Sequence, residues 1–566
     1  MMRILVAQMT RMGDMIQTTP LIRTLRFAHP DAHITVLVRK MSKGICEQNP
    51  DINEVLVYEE DEMYQNLCAQ DSDRLLSAYE KAETVVALLR ERRFDVCYNC
   101  THSIASAMLF KLAEIPQVVG AHLSDDWQFV LRGRWVTYFF TSVFYRQYNA
   151  LNLCDITRHF AANAPECHEV VLGVSDDDRA FALALLREHG VADGDFVVCF
   201  QLGASENKKR WTEERFAALA KLLVEQRRAR IILLGVREEA PLGEAFERAA
   251  PGLAIHLFGK TTISQVGALL SRAQLLVTND TGTMHIAAAV RCPMVLVSVG
   301  HVHFRETGPY GAGHCAIERR RDALGPADWT PSGPDEGSQL SPAQVFRAVE
   351  CVLGGATEEW TRNNDTGDMA EVELYRSEFA PDGCLDWYPV LRRPLKQTDL
   401  IRVAYRAMWL EFLRAKSGGE SERSSVAKML ASFEVSADTL KTCGGAPDTD
   451  FAALADLAQR GIVAAERLLT SLEKIENLQM AKEQVGGLTR LDEEIRLFGE
   501  VHEPCRPLVL ISRYERDNLE GSDPVQLAQA TLQIYRDLDA RARLMTTKLA
   551  ALFAMAEGIA KPSESR

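Results

Sequence analysis

The chain has 566 residues, 47% of them hydrophobic and 25% charged, with a formal net charge of −14. That length holds about three or four domains, the composition is that of a folded globular protein, and the acidic balance argues against a general nucleic-acid binder. No apolar run reaches the ~18 residues of a membrane span and no charged–apolar–small leader opens the sequence, so a cytoplasmic protein is expected.

Short apolar runs alternate with amphipathic stretches from the start. Residues 3–9 read as a strand and 14–26 as a helix; 33–38 is a strand, 41–48 a short helix, 54–58 a strand, and 74–92 a helix. Further strands are expected at 94–99 and 117–120, followed by an aromatic-rich, mostly helical crossover over 127–164. A second series has strands at 196–202, 229–235, 253–257, 274–278 and 293–299, with helices at 213–226, 238–249, 263–272 and 281–290. A closing helix is predicted at 341–353, with Ser341 as cap and Pro342 at its first position. Strands alternating with helices indicate βαβ units and parallel sheets. Residues 323–337 read as a Pro/Gly/Ser-rich loop. The expected domains are 1–170, 171–355, a linker at 356–370, and an all-α module over 371–566 whose helical periods recur to about residue 555, before a frayed tail at 561–566.

Ligands of doubly wound sheets bind at the carboxyl ends of the strands, and the chemistry-bearing residues gather there. After the first strand, Gly13 permits a tight turn and sets Asp14 at a helix start, where its carboxylate can take a proton from a hydroxyl or simply cap the helix. At the end of the strand at 196–202 comes Gln201-Leu202-Gly203-Ala204-Ser205-Glu206-Asn207-Lys208-Lys209-Arg210-Trp211, whose small and hydroxyl residues followed by three cations suit a diphosphate or form a solvated basic loop. Trp211 reads as a packing residue. After the strand at 229–235 comes Gly235-Val236-Arg237-Glu238-Glu239, where an acidic residue could bind a ribose hydroxyl, as in dinucleotide folds, or merely favour a helix start. After the strand at 274–278, Asp280, Thr281, Gly282 and His285 surround a helix N-terminus, which favours an anion.

Other candidates are weaker. The 13 cysteines are scattered; Cys97 and Cys100 form a C-x-x-C at a strand end with no second pair, and read as reduced and structural. His301 and His303 have no further ligand beside them, so no metal is expected. Gly-x-Gly-x-x-Gly is absent after the first strand, against hydride transfer. Asp386-Trp387-Tyr388-Pro389 and Arg392-Arg393 read as packing residues before contacts to an acceptor.

Gly13-Asp14 with Thr19-Pro20-Leu21-Ile22-Arg23-Thr24-Leu25-Arg26, together with Asn279-Asp280-Thr281-Gly282-Thr283-Met284-His285-Ile286-Ala287-Ala288-Ala289, resembles glycosyltransferase family 9, the ADP-heptose:lipopolysaccharide heptosyltransferase family, over residues 1–355. The resemblance implies a GT-B fold, two facing Rossmann-like domains with the acceptor on the first and the donor on the second, followed here by the unrecognised helical module. It implies an inverting, metal-independent transfer with no cofactor beyond the donor substrate, a nucleotide-diphosphate sugar such as ADP-heptose. Asp14 would be the catalytic base. Gly13, Ala204, Ser205, Lys209, Glu238, Asp280, Thr281, Gly282 and His285 would hold the donor, with Ala204 standing where some members carry a hydroxyl. The acceptor would be a lipopolysaccharide core or another glycan, glycolipid or protein hydroxyl, reached in the cytoplasm or peripherally at the cytoplasmic face of the inner membrane. The helical module would serve acceptor recognition, oligomerisation or docking. Two alternatives stand beside this reading: a nucleotide-sugar epimerase on the same fold, and a non-catalytic scaffold acting through the helical module.

Overall fold

The computed structural model describes residues 1–69, 71–161, 167–300, 302–320, 340–354, 367–414, 419–443, 447–472 and 478–560. The predicted loop at 323–337, His301, residues 356–366 of the expected linker and the tail at 561–566 lie outside them. The chain divides into two compact units, Met1–Asp95 with Leu151–Arg392, and Val96–Ala150 with Arg393–Arg566. This grouping cuts across the boundaries expected near 170 and 370.

The first unit opens with β1 (Arg3–Gln8), α1 (Met12–Ala28), β2 (His33–Arg39), α2 (Lys43–Cys46), β3 (Glu54–Tyr58), α3 (Glu60–Cys68) and α4 (Ser72–Arg92). The chain passes through the second unit as β4 (Val96–Asn99), α5 (Ile104–Leu112), β5 (Val118–Leu123), β6 (Phe129–Arg132) and α6 (Arg134–Ser142). Back in the first unit come α7 (Leu153–Arg158), α8 (Asp176–Glu188), β7 (Val197–Gln201), α9 (Glu213–Arg227), β8 (Arg230–Leu234), α10 (Ala240–Ala249), β9 (Ala254–His256) and α11 (Ile263–Leu270). They are followed by β10 (Leu275–Thr278), α12 (Gly282–Ala289), β11 (Met294–Val297), α13 (Phe304–Thr307), β12 (Cys315–Arg319), α14 (Pro342–Gly354), β13 (Val372–Phe379) and β14 (Leu385–Pro389).

In the first unit, β1 pairs in parallel with β2, and β2 with β3. β7 to β14 form one sheet in the order β14-β13-β12-β11-β10-β7-β8-β9. Its strands are parallel from β12 to β9, while β13 runs antiparallel to both neighbours. The parallel strands are covered on both faces, which is why β1, β2, β7 and β10 are almost wholly buried apolar runs. The strand order reverses between β7 and β10, so a crevice opens at their carboxyl ends. α1 carries Pro20 in its interior. The proline has no N–H for the Ile16 carbonyl, and the Thr19 hydroxyl donates to it instead at 2.7 Å.

Strands continue past the point where the sequence predicts helices alone: β13 and β14 extend the sheet, and the helices resume only at Gln397. The polar residues of β13 hide its strand character because their partners are distant. Ser377 donates to Gly311 O at 2.7 Å and accepts from His314 N at 3.0 Å, while the Tyr375 hydroxyl meets Glu373. Trp387 and Tyr388 are buried in β14, with Trp387 edge-on to Phe304 at 5.1 Å, so this aromatic segment packs.

A buried ion pair fastens α7 to this hairpin. Asp155 Oδ1 accepts from Arg158 Nε at 3.1 Å and from the Tyr310 hydroxyl at 2.7 Å, and Oδ2 accepts from Leu385 N at 2.9 Å. Arg158 also donates to Gly383 O at 3.1 Å.

The second unit pairs β4 with β5 in parallel and β5 with β6 antiparallel. After Arg392 it resumes with α15 (Gln397–Arg414), α16 (Gly419–Ala431), α17 (Ala437–Cys443), α18 (Pro447–Leu472), α19 (Leu478–Val501), α20 (Arg506–Asp517) and α21 (Pro524–Ala560). The two sequence segments of this unit are tied by polar contacts: Leu131 N donates to Asn518 Oδ1 at 2.9 Å, Arg132 pairs with Glu520 at 2.7 Å, and Arg406 donates to Ala150 O at 2.8 Å. Arg541 of α21, 1% exposed, pairs with Glu515 and lies 4.4 Å over the Phe412 ring. No helix among the described residues is long and apolar enough to cross a membrane.

We predict that Arg158→Met, which strands a buried carboxylate, costs about 3–5 kcal/mol of stability. Tyr310→Phe, which removes one donor, should cost about 1–3 kcal/mol. Urea unfolding of the two variants measures both; equal midpoints would show that the ion pair carries no special weight.

Candidate active site

The first half of the site is the turn between β1 and α1. Asp14 Oδ2 accepts from Arg11 N at 3.1 Å and lies 2.7 Å from the Thr10 hydroxyl, which is also 2.6 Å from Gln8 Oε1. Gln8 in turn donates to the Thr18 hydroxyl at 3.1 Å, and that hydroxyl donates to Asp14 O at 2.8 Å. Asp14 therefore does cap α1, and the cap fixes its carboxylate at the mouth of the β1 edge. Both of these contacts engage the same oxygen, Oδ2.

The second half is the turn between β10 and α12. Thr281 precedes the helix with extended backbone, φ −144° and ψ 166°, and its side chain makes no capping hydrogen bond. Met284 N donates to Thr281 O at 3.2 Å, the Thr281 hydroxyl takes none of the first-turn N–H groups of α12, and the helix dipole favours an anion there. The Thr281 hydroxyl instead lies 3.4 Å from that of Thr278.

The two turns interlock. A Cβ built on Gly13 would lie 2.9 Å from His285 Cδ2 and 3.3 Å from Nε2, and one on Gly282 would lie 2.4 Å from Met12 Cε. The Gly13 contact is with the ring of His285, whereas the Gly282 contact is with the flexible end of Met12, so Gly13 is the stricter requirement. His285 is 7% exposed, and burial depresses its pKa to about 4, partly opposed by the nearby negative charge of Asp14. The imidazole is therefore neutral at pH 7.

The third part is the loop after β7, on the other side of the crevice from β10. Asn279, fully buried, holds it: its amide donates to Leu202 O at 2.8 Å and accepts from Trp211 N at 3.0 Å. Trp211 is buried, edge-on to Phe216 at 4.8 Å, and donates to Leu340 O at 2.9 Å, so it packs. Between these anchors Ala204 is half-buried and Ser205 exposed. Lys208 pairs with Glu206 at 3.0 Å, and Lys209 reaches the same carboxylate at 3.9 Å. Gly300, after β11, closes against this turn: a Cβ there would lie 2.6 Å from Lys208 O.

Three residues that lie in the candidate segments of the sequence, but were given no role there, complete the crevice. Asn279 is one. Gln201 at the end of β7 accepts from the Thr283 hydroxyl at 3.0 Å and donates to Glu239 Oε2, also at 3.0 Å. Glu239 accepts from Val236 N at 3.1 Å, and its Oε1 fills the space where a Gly203 side chain would start. Glu238 is exposed, so the carboxylate aimed into the crevice belongs to its neighbour. A glutamine closing an otherwise apolar strand was the available signal for Gln201.

Among the described residues no group of three or more His, Cys, Asp or Glu is placed to hold a metal ion. Cys97 and Cys100 are buried thiols whose pKa values burial raises, that of Cys100 to about 12.

Comparison with known proteins gives four findings. The family model for glycosyltransferase family 9 (heptosyltransferase) matches residues 84–321, a span that includes the β7 loop and the α12 start and begins after Asp14. Lipopolysaccharide heptosyltransferase 2 of Escherichia coli (strain K12) is 25% identical over 306 residues, 52% of this chain and 82% of that protein. Lipopolysaccharide heptosyltransferase 3 of Escherichia coli is 25% identical over 309 residues, 52% of this chain and 83% of that protein. The crystal structure of the family 9 glycosyltransferase from Veillonella parvula DSM 2008 superposes with a TM-score of 0.50 at 21% identity, covering 62% of this chain and 97% of that one. The shared fold is GT-B, built on two Rossmann-like sheets.

Two outcomes are expected. Gly13→Ala drives a methyl into His285 and should cost about 1–3 kcal/mol by overpacking, whereas Gly44→Ala in α2, with open space around it, should be neutral or stabilising. Denaturant midpoints compare them, and equal effects would refute the interlock. For His285, the folded pKa of about 4 lies below the ordinary 6.5, so between those values the unfolded chain binds more protons. Stability present above pH 6.5 is therefore lost as pH falls toward 4. His285→Gln should flatten part of that slope in denaturation curves recorded across the interval; an unchanged slope would count against a buried neutral imidazole.

Proposed function

We propose that this chain, a glycosyltransferase carrying a family 9 domain, moves a heptose from ADP-heptose onto a hydroxyl of a lipopolysaccharide-core glycan, with inversion and without a catalytic metal. The names of its relatives support the donor and acceptor classes. The observation that carries the reading is the interlock of the Asp14 turn with the α12 start through Gly13 and His285. It sets a carboxylate near a helix N-terminus that the Thr281 side chain does not cap, and a base on one side with positive electrostatics on the other are the two things an inverting transfer requires.

In this mechanism Asp14 accepts the proton of the acceptor hydroxyl, through the carboxylate oxygen opposite its capping contacts. The acceptor oxygen forms a bond to the anomeric carbon as the bond to the diphosphate breaks on the far face. The departing diphosphate takes hydrogen bonds from the first turn of α12 at Thr281, Gly282 and Thr283, and charge from Lys209, whose 3.9 Å approach to Glu206 is long enough to yield to a phosphate. Neutral His285 donates a hydrogen bond without adding charge, Asp280 orients the sugar, and Ala204 and Ser205 let the diphosphate approach the backbone. Glu239, with Gln201 behind it, takes the ribose hydroxyls in place of Glu238. Residues 1–170 supply the acceptor half and 171–355 the donor half, working at the cytoplasmic face of the inner membrane.

The test is Asp14→Asn. Transfer from ADP-heptose to a heptosylated core acceptor should fall by about 10²–10⁴-fold, while thermal stabilisation by ADP stays unchanged. Retained turnover would remove Asp14 from the role. Consumption of the donor without any acceptor would identify an epimerase instead.

A further inference from the structure

The α3–α4 hairpin has a face that the first unit does not use. The two helices are seated through few buried apolar side chains, Met63 of α3 with Ala78 and Leu89 of α4. Their outer positions are apolar as well: Tyr64, Leu67, Leu75, Leu76 and Tyr79 are 67%, 56%, 54%, 55% and 60% exposed. Isolated exposed apolar residues are ordinary, but five large ones at i, i+3 and i+4 spacing on two packed helices form a patch of the kind that marks an interaction site.

The charges around the patch restrict what can cover it. Residues 59–83 hold eight acidic and two basic residues. Lys81 serves Glu59 and Glu62, and Arg39 serves Glu60 and Asp61, so these pairs brace the hairpin. Asp71, Asp73, Glu80 and Glu83 are exposed and bracket the Leu75–Leu76–Tyr79 face along α4. An anionic bilayer would be repelled by this frame. A second copy fits poorly too, since the chain carries −14 overall and, of the other helices with several exposed apolar residues, α19 (Met480, Val485, Leu497, Val501) has five acidic residues against three basic and α5 (Ile104, Met108, Leu112) offers a single lysine, Lys111, already paired with Asp125.

We propose that the outer face of the α3–α4 hairpin docks a cationic amphipathic helix of a partner protein, whose apolar side covers Leu75, Leu76 and Tyr79 and whose lysines or arginines meet Asp73, Glu80 and Glu83. This surface stands independently of the transfer reaction, because it uses no residue of the crevice.

The test titrates the full chain into a fluorescein-labelled, 18-residue helical peptide of leucine and lysine in ~0.15 M salt, where distant charges are screened, and reads anisotropy. Binding is expected. Leu75→Ser with Leu76→Ser should weaken it at least tenfold, as should Glu80→Lys with Glu83→Lys, whereas Val485→Ser with Val501→Ser on α19 should leave it unchanged. Hydrogen exchange with bound peptide should show protection confined to α3 and α4, which checks the site without relying on a variant. The proposal is overturned if the hairpin variants bind as the parent does. It is equally overturned if protection falls elsewhere, if phosphatidylglycerol vesicles bind the hairpin and the peptide does not, or if the Leu75→Ser, Leu76→Ser variant dissolves a self-associated species in light scattering.

Discussion

The close approach of two helix starts, with Gly13 against His285 and Met12 against Gly282, is the constraint on which the candidate site depends. It joins the N-terminal β1–α1 turn to a turn that follows more than 260 residues later, within one compact unit. Neither position tolerates a Cβ without displacement of its neighbour. The approach also buries His285, and burial rather than a charged partner sets its ionisation. An imidazole kept neutral cannot serve as counter-charge to a diphosphate. In the proposed transfer the positive side of the site comes from the α12 dipole and Lys209, which makes the lack of a side-chain cap at Thr281 consequential. A hydroxyl accepting from that turn would compete with an anionic ligand for the same N–H groups.

Around this contact the crevice is held by neutral amides. Asn279 fastens the β7 loop to the β10 turn, and Gln201 joins Thr283 to Glu239. Amides are suited to the task because each offers donor and acceptor together, so they can bridge unlike backbone and side-chain groups without adding charge to the crevice. Their burial makes them costly to replace: an unpaired Leu202 carbonyl or Trp211 N–H would be left inside the protein.

Much of this was legible in the sequence, for physical reasons. Parallel strands buried on both faces, such as β1, β2, β7 and β10, are apolar runs whatever surrounds them, and the residues that follow them fall at the ligand edge by topology. Gly13, Asp14, Asp280, Gly282 and His285 were placed that way. What stayed hidden depends on partners far along the chain. α3 has Met63 as its one buried side chain, so no apolar period announces it. β6 and β13 sit in antiparallel pairings, and β13 carries polar residues satisfied by Gly311, His314 and each other. The choice between Glu238 and Glu239 turns on the short helical turn at Arg237–Glu239, which rotates one carboxylate inward and its neighbour to solvent. Asn279 was visible within the motif, but its work is defined by Leu202 and Trp211, on a different loop.

The same contrast separates the crevice from the hairpin. In the crevice, polar groups are buried and paired, and small residues bring backbones together; each feature has a partner inside the chain. On α3 and α4 the order is inverted, with large apolar side chains in water and carboxylates beside them. Folding gains nothing from leaving Leu75, Leu76 and Tyr79 exposed, since burying each would contribute roughly 1.5–3 kcal/mol. A surface that forgoes that contribution at adjacent positions, within an acidic frame that discourages self-association, has the character of an interface whose other half is positively charged.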